Sequence, residues 1–197
     1  CHARFQISVS EFKHADTDYY GAIIYEIFVD RFSRGEGVIK KEGVSYPSDF
    51  NFIPEYPEYP GTAVKNDTHY GGNLYGVAKM LPYLRSLGVN LIYLTPIFES
   101  FSNHKYDTAD YMSTDFGFGG DKALSFLISE AKKYGMGIIL DGVFNHTGAD
   151  SIYFNKYRRF PSLGAYNSKA SRFYEWYDFK SYPDEYTSWW GIEFCRE

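Results

Sequence analysis

The sequence predicts an α/β fold built on parallel strands, and three observations support this prediction. Short apolar runs that are typical of buried strands occur at residues 22–29, 90–95 and 137–143. Each run is almost continuously apolar, as expected for parallel strands that are covered on both faces. A helical pattern lies between each successive pair of runs, so the elements follow the order β–α–β–α–β.

The first helical pattern precedes the second strand and is expected to end at Gly88. Pro82 lies inside this pattern and has no backbone N–H, so we expect a kink there. Its apolar residues recur at the spacing of one helix face. The predicted buried stripe consists of Leu74, Val77, Ala78, Leu81 and Leu84.

The second helical pattern precedes the third strand. We expect Asp121 to cap its first turn and Gly135 to end it. Its predicted buried stripe consists of Leu124, Leu127, Ile128 and Ala131.

The connections between these elements are unequal in length. The links from helix to strand are very short, whereas those from strand to helix span residues 33–73 and 101–120. Long loops at the carboxyl ends of parallel strands are typical of a TIM (β/α)8 barrel, which builds its sites on that face. A doubly wound open sheet is the alternative, but no glycine-rich phosphate loop follows the first strand.

The chain is too short for a whole barrel, which has eight strand–helix units and typically ~250 residues. Its 197 residues contain only three visible strands. We therefore interpret residues 18–148 as an incomplete barrel and the chain as an N-terminal slice of a longer protein. Residues 1–17 carry one alternating run, at 5–9, that fits the end of a preceding β domain. Residues 149–197 are aromatic, polar and rich in turns, which indicates an excursion from the barrel.

Composition narrows the class of ligand. The formal charge of -5, without a basic cluster, argues against nucleic acid, and no apolar run is long enough to span a membrane. Twenty Tyr, 17 Phe and 3 Trp make up a fifth of the chain, a density that suits sugar binding as well as core packing. Cys1 and Cys195 form no metal-binding spacing. The chain begins with Cys and shows no leader, so a cytoplasmic and a secreted location both stay open.

Polar residues cluster where the predicted strands end. Asp30 and Arg31 follow the first strand, and we interpret them as an ion pair that pins the loop. His104 and Tyr106 lie in the loop after the second strand, within the dense stretch NHKYDTADY. At a barrel mouth, such a loop would present an aromatic platform to a sugar ring.

The third strand leads into DGVFNH, which places a carboxylate, an amide and an imidazole together. Alternation along the strand directs Asp141 into the barrel mouth. Asn145 and His146 follow where the strand ends. Because Ca²⁺ accepts carboxylate and amide oxygens, Asn145 is a candidate calcium ligand beside Asp141 and His146. Zinc is disfavoured because the usual set of His and Cys ligands is missing.

Four stretches together resemble the alpha-amylase family of glycoside hydrolases (family thirteen). They are YEIFVDRF, the block GGNLYGVAKMLPYLRSLGVNLIYLTPIFES, NHKYDTADYMSTDFGFGGDKAL and GIILDGVFNH, in order between residues 20 and 148. NHKYDTADY, with SRFYEWYDF and YTSWWG further on, is most similar to the branch of neopullulanase, cyclomaltodextrinase and maltogenic amylase. The chain thus resembles the N-terminal part of that catalytic domain.

The resemblance implies a TIM barrel with an inserted domain B, which residues 149–197 would begin. It also implies retaining hydrolysis of α-glucosidic bonds in maltodextrins, cyclodextrins or pullulan, without a required cofactor. Tyr106 would stack under the sugar at the cleavage point, and His146 would bond a hydroxyl of that sugar. His104 is a further candidate substrate-binding residue. Asp141 would hold an arginine of the fourth strand. Asn145 would brace the loop or bind calcium.

The family's nucleophile, its acid/base and its third carboxylate would lie beyond Glu197, so this chain alone is expected to be inactive. The expected partner is an α-glucan, and the resemblance is compatible with a homodimer of the parent enzyme. A different class of function is also open: a non-catalytic amylase-like module for carbohydrate binding or assembly.

Overall fold

The computed structural model describes residues 19–37, 40–47, 50, 53, 59–60, 62, 68–189 and, for the backbone alone, 195–196. The predicted strand at 5–9 and the rest of residues 1–17 lie outside these residues. In the described part of the chain, no helix has the length and apolar character needed to cross a membrane. The strands are β1 (Ile24–Ile27), β2 (Leu91–Leu94), β3 (Phe98–Ser100), β4 (Thr108–Thr114), β5 (Gly137–Leu140), β6 (Thr147–Gly148), β7 (Phe179–Ser181), β8 (Glu185–Tyr186) and β9 (Cys195–Arg196). The helices are α1 (Val29–Phe32), α2 (Leu74–Lys79), α3 (Leu81–Ser86) and α4 (Gly120–Lys133), with 3₁₀ turns at Phe116–Phe118 and Tyr174–Trp176.

The three predicted strands form one parallel sheet in the order β1-β2-β5. Ile27, Leu94 and Leu140 are paired across it, which sets the register. The strands are shorter than predicted. The first ends before Val29 because that residue begins the helical turn α1, and the third ends at Leu140.

The helices cover one face of this sheet. Ile27, Ile92 and Leu94 share that face and form a core with side chains of α2, α3 and α4. The prediction that all three strands are covered on both faces is wrong for the outer two, since Ile24 is 55% exposed and Leu140 is 39% exposed. Only the central strand β2 is buried along most of its length.

The first predicted helix is two short helices joined at Met80, which caps both. Pro82 lies at the start of α3 and explains the break, because its ring would clash with the carbonyl of Ala78 and it offers no N–H. The chain therefore breaks rather than kinks, two residues before the proline. All five residues of the predicted stripe are buried.

The second predicted helix is α4, and its start differs from the prediction. Gly119, with φ of 98°, occupies the capping position, and Asp121 lies inside the first turn. The Asp121 carboxylate accepts the backbone N–H of Thr114 at 3.0 Å, so it ties the helix to β4 instead of capping it. Ile128 is 50% exposed, because the buried face of α4 runs through Ala123, Leu127 and Ala131.

The segment 101–120, which we expected to be a long loop, contains regular structure. β4 pairs antiparallel with β3, and the 3₁₀ turn follows before α4 begins. The irregular part is thereby confined to residues 101–107, which lie above the carboxyl end of β2.

Residues 149–186 build a second core that consists mainly of aromatic rings. Its buried members are Tyr153, Phe154, Ala165, Phe173 and Tyr177. The short hairpin of β7 and β8 packs Phe179 and Tyr186 against this cluster, and β6 pairs with β9. The described residues thus form two separate apolar clusters, one on the parallel sheet and one after it.

Candidate sugar-binding site

The predicted site residues meet beyond the carboxyl ends of β2 and β5. Asp141 directly follows β5, and its backbone N–H donates to the carbonyl of Leu94 at 3.1 Å. Tyr93 pairs with Ile139, so Asp141, two residues further on, lies on the same face as Tyr93. This is the sheet face opposite the helices.

Asp141 is the acceptor at the centre of this group. Its Oδ2 accepts the hydroxyl of Tyr93 at 2.7 Å and that of Tyr106 at 3.3 Å. The hydrogen bond to Asp141, together with burial, raises the pKa of Tyr93 to about 12. Burial and the Asp141 charge also raise the pKa of Tyr106. Both phenols therefore stay protonated at neutral pH and act as donors to the carboxylate.

His146 joins the loop after β5 to the loop that carries Tyr106. Its Nε2 lies 3.1 Å from the carbonyl oxygen of Tyr106, and because a carbonyl only accepts, Nε2 carries the proton. The amide nitrogen of Asn145 lies 3.4 Å from Nδ1. The imidazole stacks on Trp189, with ring centroids 5.5 Å apart and planes 17° apart. The ring is buried and held in one orientation.

His104 supports the backbone of Tyr106. Its Nδ1 accepts the Tyr106 N–H at 3.1 Å and lies 3.2 Å from the hydroxyl of Ser102. Burial, reinforced by the charge of Lys105, lowers the pKa of His104, although Asp107 opposes this. The two rings lie 5.9 Å apart. His104 thus lies beside the Tyr106 ring, and its Nδ1 is engaged within the loop.

Asp30 and Arg31 make structural contacts, in agreement with the interpretation as a pinning ion pair. The buried Asp30 carboxylate accepts the backbone N–H groups of Tyr70 at 2.9 Å and Gly71 at 3.0 Å. Nε of Arg31 lies 3.8 Å from this carboxylate, and the guanidinium lies 3.9 Å from the centroid of the Tyr70 ring. The pair anchors the end of the long segment between α1 and α2 to the residues that follow β1.

Asn145 is exposed, and its amide faces an imidazole. Ca²⁺ takes six to eight oxygen ligands. Within the residues that the structure describes, no group of three or more His, Cys, Asp or Glu side chains could hold a metal ion. The described surroundings of Asn145 therefore do not fit a calcium site by themselves.

An aromatic groove of about 450 Å³ adjoins the site on the far side of His146. Phe144 is 79% exposed and Met112 is 84% exposed beside it, and Tyr111 and Trp176 complete the wall. The hydroxyl of Tyr111 lies 2.6 Å from the carbonyl of His146 and also contacts that of Val143. The groove and the predicted site therefore share one loop.

The arrangement favours binding and orientation over bond cleavage. Tyr106, which is 38% exposed, offers a ring face, and Asp141 offers a carboxylate. Glycoside hydrolysis needs two carboxyl groups that flank the bond. Asp141 accepts from both phenols, and the charge of the exposed Glu26 in β1 also acts on them. Because two phenols engage it, Asp141 is suited to holding hydroxyl or cationic groups.

Sequence reasoning assigned no site role to Tyr93 or Trp189. Tyr93 could have been found from strand alternation, because it lies on the same face as Asp141 in the neighbouring strand. Trp189 lies 43 residues beyond His146 in the chain, and no local pattern joins the two.

Comparison with known proteins identifies the family to which this chain is similar. Residues 26–194 match the family model described as the alpha amylase catalytic domain. An amylopullulanase of Thermoanaerobacterium saccharolyticum is 41% identical over 211 residues, which covers 96% of this chain and 16% of that protein. Neopullulanase 2 of Thermoactinomyces vulgaris is 39% identical over 168 residues, covering 85% of this chain and 26% of that protein.

Solved structures show the same relationship. A cyclic α-maltosyl-(1→6)-maltose hydrolase from Arthrobacter globiformis, solved with maltose, superposes with a TM-score of 0.73 at 27% identity. The match covers 89% of this chain and 37% of that protein. The structural neighbours are TIM-barrel enzymes, and this chain corresponds to a part of their catalytic domain. The chain spans between 11% and 16% of the length of the three amylopullulanases that it matches. The family match extends over most of the residues, and the chain belongs to the alpha-amylase family.

Proposed function

We propose that this chain is the N-terminal part of the catalytic domain of a retaining glycoside hydrolase that acts on α-glucosidic bonds. The observation that carries the proposal is the meeting of Tyr106, Asp141 and His146 at the carboxyl ends of parallel strands. The relatives point to the substrate class, since they are named amylopullulanase and neopullulanase, and a structural neighbour was solved with maltose. Maltodextrins, cyclodextrins and pullulan are the proposed substrates.

In this proposal, the described residues bind and orient the sugar. The Tyr106 ring lies under one pyranose face, where apolar C–H groups meet the aromatic surface. Asp141, already an acceptor for two phenols, orients a cationic or hydroxyl group on the reacting side. With its Nε2 proton donated to the Tyr106 carbonyl, His146 binds a sugar hydroxyl through Nδ1, whose contact with the exposed Asn145 is the longer of the two at 3.4 Å. The nucleophile and the acid of the retaining mechanism are contributed by the rest of the protein, so the chain alone is inactive.

The proposed architecture is an incomplete (β/α)8 barrel over residues 18–148, followed by the beginning of domain B. The second aromatic cluster supports the latter assignment, because it is separate from the core on the sheet. The reaction needs no cofactor. A calcium ion at Asn145 would need oxygen ligands from outside the described residues. We also propose that the full-length enzyme can form a homodimer.

The test is incubation of the full-length protein with cyclodextrin, starch and pullulan, followed by measurement of released sugar. The wild-type protein should release sugar, and Asp141→Asn should lower kcat/KM about tenfold or more, because a hydrogen bond to a charged group contributes ~1.5–3 kcal/mol. Tyr83→Phe, on the exposed face of α3, is the control and should leave activity unchanged. No sugar release from any of these substrates would overturn the proposal.

A non-catalytic carbohydrate-binding or assembly module is the second candidate, favoured by the two phenols that engage the Asp141 carboxylate, an arrangement that suits binding more than bond cleavage. If the protein shows no hydrolysis, calorimetry with maltoheptaose distinguishes a carbohydrate-binding module from an assembly module. Binding heat that Tyr106→Ala abolishes would support a sugar-binding module, and absence of heat would support a role in assembly.

A further inference from the structure

Lys105, the residue directly before Tyr106, is fully buried. Lysine is almost never found in this state unless its charge is paired. Its Nζ lies 2.8 Å from Oδ2 of Asp115 and 3.0 Å and 3.4 Å from the carbonyl oxygens of Ser102 and Ser100. An ammonium group has three N–H donors, so these three acceptors match it in number.

The backbone at Lys105 is in the left-handed region, with φ of 65°. Residues other than Gly, Asn and Asp rarely adopt this conformation. It persists only where the surrounding structure stabilises it. The Lys105 N–H donates to the hydroxyl of Ser102 at 3.0 Å. At this turn the side chain of Lys105 is buried whereas that of Tyr106 is 38% exposed. The buried ammonium is thus the anchor of the turn that presents the Tyr106 ring.

A second lysine reaches the same carboxylate from a different part of the chain. Nζ of Lys41, in the segment after β1, lies 2.6 Å from Oδ2 of Asp115 and 2.5 Å from Glu99. Burial alone would raise the pKa of Asp115, but the ammonium groups of Lys105 and Lys41 outweigh it and lower the pKa. Two cations and two carboxylates therefore balance one another beneath the β3–β4 hairpin.

We infer that Lys105 is a positioning residue for Tyr106: its buried ammonium, held by Asp115, fixes the left-handed turn that places the ring in the sugar site. The inference rests on the proposed function, because the ring is expected to act on a glucan. Lys41 shares the carboxylate, and its Nζ also contacts the carbonyl of Ser100 at 2.6 Å, but it is not part of the turn at residues 102–107. We therefore expect its removal to affect stability and not the position of the ring.

The pair of lysines offers a matched comparison in the full-length protein. Lys105→Met and Lys41→Met each remove one ammonium from Asp115 and should both lower the thermal midpoint. Only Lys105→Met should lower kcat/KM on maltodextrin, by about 10- to 100-fold, since a small displacement of a positioning group costs about this much. In a Tyr106→Ala background, Lys105→Met should cause no further loss of kcat/KM, because its effect passes through the ring.

Two outcomes would overturn the inference: equal losses of kcat/KM in the two lysine variants, or an undiminished loss from Lys105→Met when Tyr106 is already absent. If Lys105→Met does not fold, the double variant Lys105→Met/Asp115→Asn restores the charge balance, with Lys41 paired to Glu99, and should still show the reduced kcat/KM. Hydrogen exchange of residues 102–107 provides a readout without activity. Faster exchange there in Lys105→Met than in Lys41→Met would support the inference even if the wild type hydrolyses no glucan, and equal exchange would refute it.

Discussion

Replacement of Phe154 by alanine should destabilise the aromatic core of residues 149–186 and leave the stability of the core on the parallel sheet unchanged. Phe154 is completely buried, and the rings of Tyr177, Tyr186, Tyr166 and Phe179 lie 4.8 to 6.0 Å from its centroid. A Phe→Ala change in a core costs ~3–5 kcal/mol. We expect the upper half of this range, because rigid rings on several sides cannot collapse into the space and aromatic pairs add ~0.5–1.5 kcal/mol each.

The assay is hydrogen exchange on the full-length protein, which gives a free energy of opening for each segment. In Phe154→Ala, residues 149–186 should lose ~4 kcal/mol of protection, whereas α4 and β2 should keep theirs. Leu127→Ala, in the other core, is the matched control and should produce the reverse pattern, because Leu127 packs on the sheet. Phe154→Leu keeps most of the apolar volume and should cost less than ~1.5 kcal/mol.

Two results would refute this reasoning. A loss of less than ~1 kcal/mol for Phe154→Ala would mean that the ring does not support a closed core. An equal loss of protection in α4 and in residues 149–186 would mean that the two clusters unfold as one unit, in spite of their separate packing.

Two further predictions concern charged groups. Burial and the charge of Asp107 raise the pKa of Asp150 to about 6, against the opposing charge of Arg159 at 3.5 Å. The stabilisation by the proton on Asp150 is complete below about pH 4 and is lost as the pH rises through the folded pKa. The unfolding free energy of the wild type, relative to that of Asp150→Asn, should therefore fall by up to ~3 kcal/mol between about pH 4 and 7. If the difference in unfolding free energy between the two proteins did not change with pH, this prediction would be wrong. Tyr93→Phe removes the hydroxyl that donates to Asp141 at 2.7 Å. It should lower kcat/KM about tenfold with little change in the thermal midpoint. Unchanged kinetics would show that the role of Asp141 does not depend on the hydrogen bond from Tyr93.

The apolar pattern predicted the sheet and the positions of the helices, but it did not predict their ends. The stripe from Leu74 to Leu84 is buried as expected. Its apolar residues recur at the spacing of a helix because one face of the helix packs against the sheet. The break at Met80 and the cap at Gly119 depend on local backbone geometry. Asp121 shows why: its side chain suits a helix cap, but the N–H of Thr114 from a neighbouring strand takes its carboxylate.

The candidate site was partly predictable for a related reason. Asp141 follows β5 directly and His146 comes five residues later, so the direction of the strand indicates the end of the sheet at which they lie. Tyr106 could be assigned to the same rim because its loop follows the adjacent parallel strand. Lys105 could not be assigned, since a lysine in a polar loop is usually exposed and its ion pair with Asp115, ten residues further on, explains its burial.

The position of His146 depends on the second aromatic cluster, and this connects the fold to the proposed function. Tyr111 of β4 contacts the carbonyls of Val143 and His146 through its hydroxyl, and its ring stacks on Tyr153 of the second cluster with centroids 5.5 Å apart. A hydroxyl has one proton, so the two carbonyls share a single donor, and small shifts of the ring change both contacts. Asp141, in contrast, is fixed by the sheet through its N–H bond to Leu94. The distance between Asp141 and His146 is therefore determined by how the aromatic segment packs on the β3–β4 hairpin, and variants that loosen Phe154 should disturb sugar binding without touching any sugar contact.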